Sequence, residues 1–174
     1  LTWEVSEKLD GSSMTVYVNN DKQGVCSRNW SLRETEGNTL WIVTRRLGLL
    51  DKIRSTGRNL ALQGELIGES IQGNKYGLTG QHFRLFDIYD IDKGGYLSAS
   101  ERQNLVDELG ISQVPIIDSN FVVKDDVNNL LTMAEGKSIL NNKTEREGLV
   151  FKCNVFGGPS FKVISNRFLI KNGD

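Results

Sequence analysis

Leu1-Thr2-Trp3-Glu4-Val5-Ser6-Glu7-Lys8-Leu9-Asp10-Gly11-Ser12-Ser13-Met14-Thr15-Val16-Tyr17-Val18-Asn19 opens the chain. Trp3 and Val5 alternate with polar residues before Asp10-Gly11, and Met14, Val16 and Val18 alternate again after it. Such period-two alternation marks a half-buried strand, because successive side chains leave a strand on opposite faces. Asp-Gly between two such runs is a turn signal. The stretch therefore predicts a β-hairpin over 1–19, with Lys8 at the end of its first strand.

Outward from there, a third strand is expected around Gly24 to Arg28. From Asn38 to about Ser55, Leu40, Val43, Leu47 and Leu50 recur at helical spacing, although Gly48 weakens that helix. Leu60 to Ile67 reads as a buried strand, Gly68 to Gly80 as a polar, glycine-rich loop, and Phe83 to Ile91 as a further strand. Ser98 and Glu101 form a capping box before Leu105, Val106 and Leu109, and Gly110 stops that helix. Val114 to Val123 is strand-like, and Val127 to Glu135 is a short helix begun by Asp125 or Asp126. Two last strands fit Gly148 to Asn154 and Ser160 to Lys171, joined by Gly157-Gly158-Pro159. Strands in antiparallel pairs with helices inserted between them define an α+β domain.

The 174 residues are enough for one domain with a real core. Apolar residues make up 38% and charged ones 25%, the balance of a soluble globular chain, and no apolar run is long enough to span a membrane. The chain opens without a basic start or apolar stretch, so no signal peptide is expected. Beginning at Leu1, it reads as a fragment or a processed product. Cys26 and Cys153 stand in no metal-ligand spacing and read as reduced thiols, which fits an intracellular, cytoplasmic setting. A net charge of −1 argues against coating of nucleic acid by the whole surface. It leaves room for a local basic cluster: Arg45, Arg46, Lys52, Arg54 and Arg58, against the single acid Asp51.

Glu7-Lys8-Leu9-Asp10-Gly11-Ser12-Ser13 gains meaning from the ordered series of short segments downstream of it. These are Ser27-Arg28-Asn29, Leu62-Gln63-Gly64-Glu65-Leu66, Phe86-Asp87-Ile88, Glu147-Gly148-Leu149-Val150-Phe151-Lys152 and Phe161-Lys162-Val163-Ile164-Ser165-Asn166. Together they resemble the motif series of the covalent nucleotidyltransferases, the superfamily of ATP-dependent DNA ligases, RNA ligases and mRNA capping enzymes. The resemblance runs from Glu4 to Lys171. It implies a single nucleotidyltransferase (adenylation) domain over 1–174, with antiparallel sheets and inserted helices flanking an ATP pocket. Lys8 would be the residue that takes AMP from ATP.

A lysine must attack phosphorus as the neutral amine, and an unperturbed lysine titrates near 10.4. Poising one near neutrality costs roughly 3–4 kcal/mol of differential stabilisation. Neighbouring positive charge can supply it. The resemblance makes Lys162 that second lysine and a contact to the α-phosphate, and makes Glu147 a third member of the catalytic set. Asp10, Glu65 and Glu147 match acidic positions that hold Mg²⁺ or Mn²⁺ through waters, as a hard, strongly hydrated cation prefers. Glu65 and Arg28 would reach the ribose, Phe86 would stack on adenine, and the backbone of Glu7 would read the base edge. Glu65 also stands out unaided, since an acid inside a buried strand needs a partner.

Leu9 stands where capping enzymes usually carry Thr. Ser12-Ser13, the loop from Gly68 to Gly77, and Arg28 twenty residues beyond Lys8 look most like nick-sealing RNA ligases. The substrate implied is RNA with 3′-hydroxyl and 5′-phosphate ends, a nicked duplex above others, with Arg28, Arg45, Arg46, Arg54 and Arg58 as candidate strand contacts. ATP-dependent DNA ligase is the alternative within the superfamily. Many relatives carry Lys-x-Lys in the last motif; here the second position is Ile164, which leaves the α-phosphate to Lys162 with help from elsewhere, such as Lys152. Relatives also carry an accessory domain, often an OB-fold, which lies outside these residues, and a monomer is expected.

Asp90 to Glu101 supports a different reading, an EF-hand-like calcium module. Acids fall at positions 1, 3 and 12 of such a loop and a glycine at position 6. Gly94 removes a ligand at position 5, and the entering segment is rich in β-formers. A ligase-like domain that binds RNA without catalysis is a third reading, opposed by the joint presence of Lys8, Glu65, Glu147 and Lys162. His82, the one histidine, has no acidic partner in sequence and is expected at the rim without a chemical task.

Overall fold

The computed structural model describes residues 1–124 and 126–172. Two antiparallel sheets dominate it. The larger joins β2 (Ser12–Asn19), β3 (Lys22–Cys26), β4 (Ser31–Leu32), β5 (Leu60–Gly68), β6 (Gln81–Asp90) and β7 (Gly95–Tyr96) in the order β4-β3-β2-β5-β6-β7. The smaller joins β1 (Trp3–Lys8), β8 (Ile116–Phe121), β9 (Gly148–Cys153) and β10 (Ser160–Ile164) in the order β10-β9-β1-β8. Helices α1 (Thr39–Leu47), α2 (Leu49–Ser55), α3 (Ala99–Leu109) and α4 (Val127–Ala134) are inserted between strands and α5 (Asn166–Lys171) follows β10, the α+β arrangement expected. Among the described residues no helix is long and apolar enough to cross a membrane.

The expected hairpin over 1–19 is not one. β1 and β2 are strands of different sheets, and the chain crosses between them at Leu9-Asp10-Gly11. β1 is central, pairing β9 on one side and β8 on the other, with Glu4 to Glu7 all buried. Alternation alone cannot distinguish a hairpin partner from a strand covered on both faces. Gly11 is needed for a close approach: a Cβ there would collide with the Leu66 carbonyl oxygen. The expected helix over 38–55 is two helices, because Gly48 adopts φ 62° and serves as the left-handed stop of α1 before α2 begins. The last expected strand also ends early. At Ser165 the hydroxyl accepts the Phe168 N–H at 3.2 Å and starts α5. Of the two acids named for the start of α4, Asp126 is the cap; Asp125 lies outside the described residues. The Ser98–Glu101 capping box and the Gly110 stop are as the sequence predicts.

The calcium reading of 90–101 fails on its surroundings. A strand enters the loop where an EF-hand needs a helix. Asp90 is paired with Arg58 at 2.9 Å and accepts the Lys93 N–H, Asp92 accepts from the Asn59 amide, and Glu101 is spent on the capping box.

Met14, Val16, Leu62, Leu66, Phe83 and Leu85 form the main core, under α1, α2 and α3. Val5, Leu149 and Phe151 form a second under α4. A small cluster of Leu9, Ile67, Tyr76 and Val114 joins the sheets beneath the crossing. Two ion pairs also bridge them: Glu4 of β1 with Arg102 of α3, both buried, and Lys152 of β9 with Asp87 of β6 at 3.2 Å. Removing one partner of such a buried pair leaves an uncompensated charge, so these contacts resist separation of β1 from α3 and of β9 from β6.

Candidate active site

Lys8 is the last residue of β1 and lies in register with Gly148, the first of β9. Glu147 immediately precedes that glycine, so the register itself brings the two side chains together: Lys8 Nζ donates to Glu147 Oε1 at 2.9 Å. The other oxygen, Oε2, is buried without a partner among the described residues. Burial raises the pKa of Glu147, against the opposing pull of Lys8.

Glu65 arrives from the other sheet, on β5 opposite Ser13. Burial pushes its carboxyl up to about 7, Lys8 pulls it down, and the nearby charges of Glu147 and Asp10 push it further up. Asp10, on the crossing, is ion-paired with Lys75. Its backbone N–H donates to the Tyr76 hydroxyl at 2.6 Å. Burial, with Glu7, Asp10 and Glu147 close by, holds that phenol protonated.

Two pockets meet at Lys8, Leu9 and Glu65. The inner one, about 200 Å³, is lined by Ser6, Glu7, Phe86, Val114 and Val150 and is largely apolar. The outer, about 470 Å³, is polar and holds Asp10, Ser12, Arg28, Trp30 and Glu147. A largely apolar pocket opening onto a polar, charged one at a lysine suits a nucleobase on one side and phosphates on the other.

Phe86 is half-buried in the inner pocket, with Lys152 Nζ 5.3 Å from its ring centroid. Lys152 also donates to the Phe86 carbonyl and pairs with Asp87, so it is committed to the pocket wall and is not a free substitute for the lysine missing at Ile164. Ile164 lies opposite Gly148 in β10, and Lys162 lies opposite Val150, exposed and on the face that Val150 turns to the inner pocket. The charge of Lys162 is felt at Glu147. The Glu7 carboxylate accepts from Ser138 Oγ at 2.6 Å and the Ile139 N–H at 2.7 Å, while its backbone N–H goes to Pro115. The carbonyl is therefore what the Glu7 backbone has to offer a base edge. His82 Nε2 is 2.8 Å from the Thr79 carbonyl, away from the acids.

The basic cluster does not form one surface. Arg58 holds Asp90 and Arg54 holds Gln23, at the end of the sheet where β5 begins. That end lies about 16 Å along the strand from Glu65 at the usual rise. Arg45 pairs with Glu34 at 3.2 Å, and Arg46 donates to the Gln81 carbonyl. Arg28, exposed on the β3–β4 hairpin, lines the outer pocket. Lys75 and Tyr76 went unassigned in the sequence because nothing local ties a glycine-rich loop to an aspartate 65 residues away.

Asp10, Glu65 and Glu147 offer the hard oxygen donors that a Mg²⁺ or Mn²⁺ ion takes, and the orphaned Glu147 Oε2 is such a donor without a partner. Among the described residues no three carboxylates, histidines or cysteines converge closely enough to ligate an ion directly. The oxygens of Asp10, Glu65 and Glu147 suit a hard cation that keeps some of its own waters.

Two antiparallel sheets meet at a strand-end lysine with a largely apolar pocket beside it, the arrangement expected of a nucleotidyltransferase-type domain. A family model described as RNA ligase matches residues 1–164, and the chain belongs to that family. It superposes on Naegleria gruberi RNA ligase with PPi at a TM-score of 0.95 and 52% identity, covering 99% of this chain and 52% of that one. Mutants of the same ligase, one with ATP and Mn and another with AMP and Mn, each give 0.94 and 51% identity over 99% of this chain and 52% of theirs. The chain thus spans about half the length of those structures. No curated protein matches it.

Proposed function

We propose that this chain is the adenylate-forming domain of an ATP-dependent RNA ligase, with Lys8 as the nucleophile. The observation that carries the reading is the pairing of Lys8 with Glu147 at 2.9 Å, beside Glu65, where the apolar and polar pockets meet. The family match and the ATP, AMP, Mn and PPi forms of the Naegleria enzyme support it.

Lysine attacks phosphorus only as the neutral amine, so the 2.9 Å contact of Lys8 Nζ with Glu147 has to be given up before the step. When bound, a divalent cation would neutralise phosphate charge and compete for Glu147 and Glu65. With its proton released to solvent, Nζ forms a bond to the α-phosphorus as the bond from that phosphorus to the bridging oxygen breaks and pyrophosphate leaves. A 5′-phosphate oxygen of the RNA then takes AMP from Lys8, restoring the amine. A 3′-hydroxyl finally attacks the activated 5′-phosphorus, AMP departs and the phosphodiester is formed. Phe86 stacks on adenine, the Glu7 carbonyl meets the base edge, Glu65 and Arg28 reach the ribose, and Lys162 serves the α-phosphate. The task of the protein is positioning and charge neutralisation. The expected substrate is nicked duplex RNA, handled by a monomer in the cytoplasm together with an accessory domain of the same polypeptide.

Incubation with α-labelled ATP and Mg²⁺ or Mn²⁺, then denaturing electrophoresis and peptide mapping, tests the reading. A label that survives denaturation on the peptide containing residue 8 supports it, and no retained label refutes it. Comparing pre-adenylated nicks in RNA and DNA tests the substrate. Arg28→Ala is expected to slow sealing of such a nick more than it slows labelling of Lys8; equal losses would remove Arg28 from the strand.

A further inference from the structure

We propose that Trp30 is a stacking platform for a nucleobase of the strand being joined, next to its reacting end, a role that rests on the RNA-ligase reading above. The three tryptophans have different settings. Trp41 is 4% exposed, and its indole N–H donates to the Leu32 carbonyl at 3.1 Å. Trp3 packs edge-on to Phe161 at 5.2 Å. Trp30 is 73% exposed, and its indole N–H has no partner among the described residues. Leaving so large an apolar ring in water forgoes the stabilisation its burial would bring, roughly 1.5–3 kcal/mol for a large side chain.

The ring is exposed on a braced support. The Trp30 carbonyl accepts the Ser27 N–H at 2.9 Å, and the hairpin is pinned on both sides by the pairs Cys26 with Ser31 and Val25 with Leu32. Trp30, Asn29 and Arg28 form one wall of the outer pocket, which also holds Lys8, Glu65 and Glu147. Arg28 has no carboxylate partner among the described residues, so its five N–H donors can serve a strand phosphate as well as the ribose. An aromatic plane two residues from a free guanidinium matches one nucleotide: base on the ring, phosphate on the cation. The adenine of ATP has its own slot at Phe86, on the other side of Lys8. That leaves Trp30 to the polynucleotide.

The test is binding of nicked duplex RNA to the whole chain, followed by tryptophan fluorescence, in a series where each of the first two nucleotides on either side of the break is made abasic in turn. Trp30→Ala should weaken binding of intact RNA about tenfold, within the range of a single base–aromatic stack, while Trp30→Phe should keep most of the affinity. One abasic position should weaken the wild type by a similar factor and leave Trp30→Ala no worse. Wild-type fluorescence should quench on binding, and Trp30→Phe should lose that quench. Unchanged affinity in Trp30→Ala, or losses from the variant and the abasic sites that multiply at every position, would overturn the proposal. The AMP label on Lys8 is scored separately, so a chain that labels normally but fails this series loses only the role of Trp30.

Discussion

Lys8→Arg is expected to retain the fold and ATP binding while losing covalent AMP by at least about 10³-fold, the order of loss expected on removal of a covalent nucleophile. Arginine can keep the charge that faces Glu147 at 2.9 Å in the wild type. A guanidinium does not give up its proton in a protein, so it has no lone pair to offer phosphorus. Lys8→Ala should label no better, but it is a poorer probe, because it leaves both Glu147 oxygens without a partner. Thermal melting and equilibrium ATP binding check that the Arg variant is intact, and labelled ATP reads the loss. A labelled Arg variant would mean that the nucleophile lies elsewhere.

The second large effect concerns Glu65 and has opposite signs for stability and activity. Its carboxyl is pushed up to about 7 from an ordinary 4.5, chiefly by burial. The folded state therefore binds this proton more tightly than the unfolded chain. The contribution of Glu65 to stability is at its best below pH 4.5, falls as pH rises from there to about 7, and is level above that. The whole fall is at most about 3.5 kcal/mol, at roughly 1.4 kcal/mol per unit. Glu65→Gln removes the buried charge, so at pH 8 and without divalent cations it should melt about 5–10 °C higher than wild type. Its melting point should also vary less between pH 5 and 7. Mg²⁺ or Mn²⁺ should raise the wild-type melting point at pH 8 more than that of the variant, and adenylation should fall in the variant. Parallel pH profiles for the two proteins would show that Glu65 is not the costly buried acid.

Motif order carried much of this in advance, since Lys8, Glu65 and Glu147, far apart in sequence, do converge. Each lies where period and register determine placement: a strand end, a strand interior, the residue before a strand. Local pattern was weaker where two structures share one signature. The alternation on either side of Asp10-Gly11 fits a hairpin and a crossing equally well, and only the pairing of β1 with β8 and β9 decides between them. Ser160 to Lys171 carried enough apolar residues for one strand, yet the Ser165 hydroxyl ends it. The basic residues of 45–58 are neighbours in sequence, but two short helices turn them toward different acceptors. Lys75 and Trp30 owe their positions to tertiary contacts and loop geometry that composition does not encode.

Lys8 ends a strand of one sheet and Glu147 directly precedes another of it, whereas Glu65 lies within the other sheet and Arg28 on that sheet's β3–β4 loop. Any rigid-body shift of one slab against the other would carry the amine and its counter-ion along together, while the gap from the amine to Glu65 opened or narrowed. The separation of Lys8 from Glu65 would then report how tightly the two halves are clasped, and a distance probe spanning them would read the same coordinate.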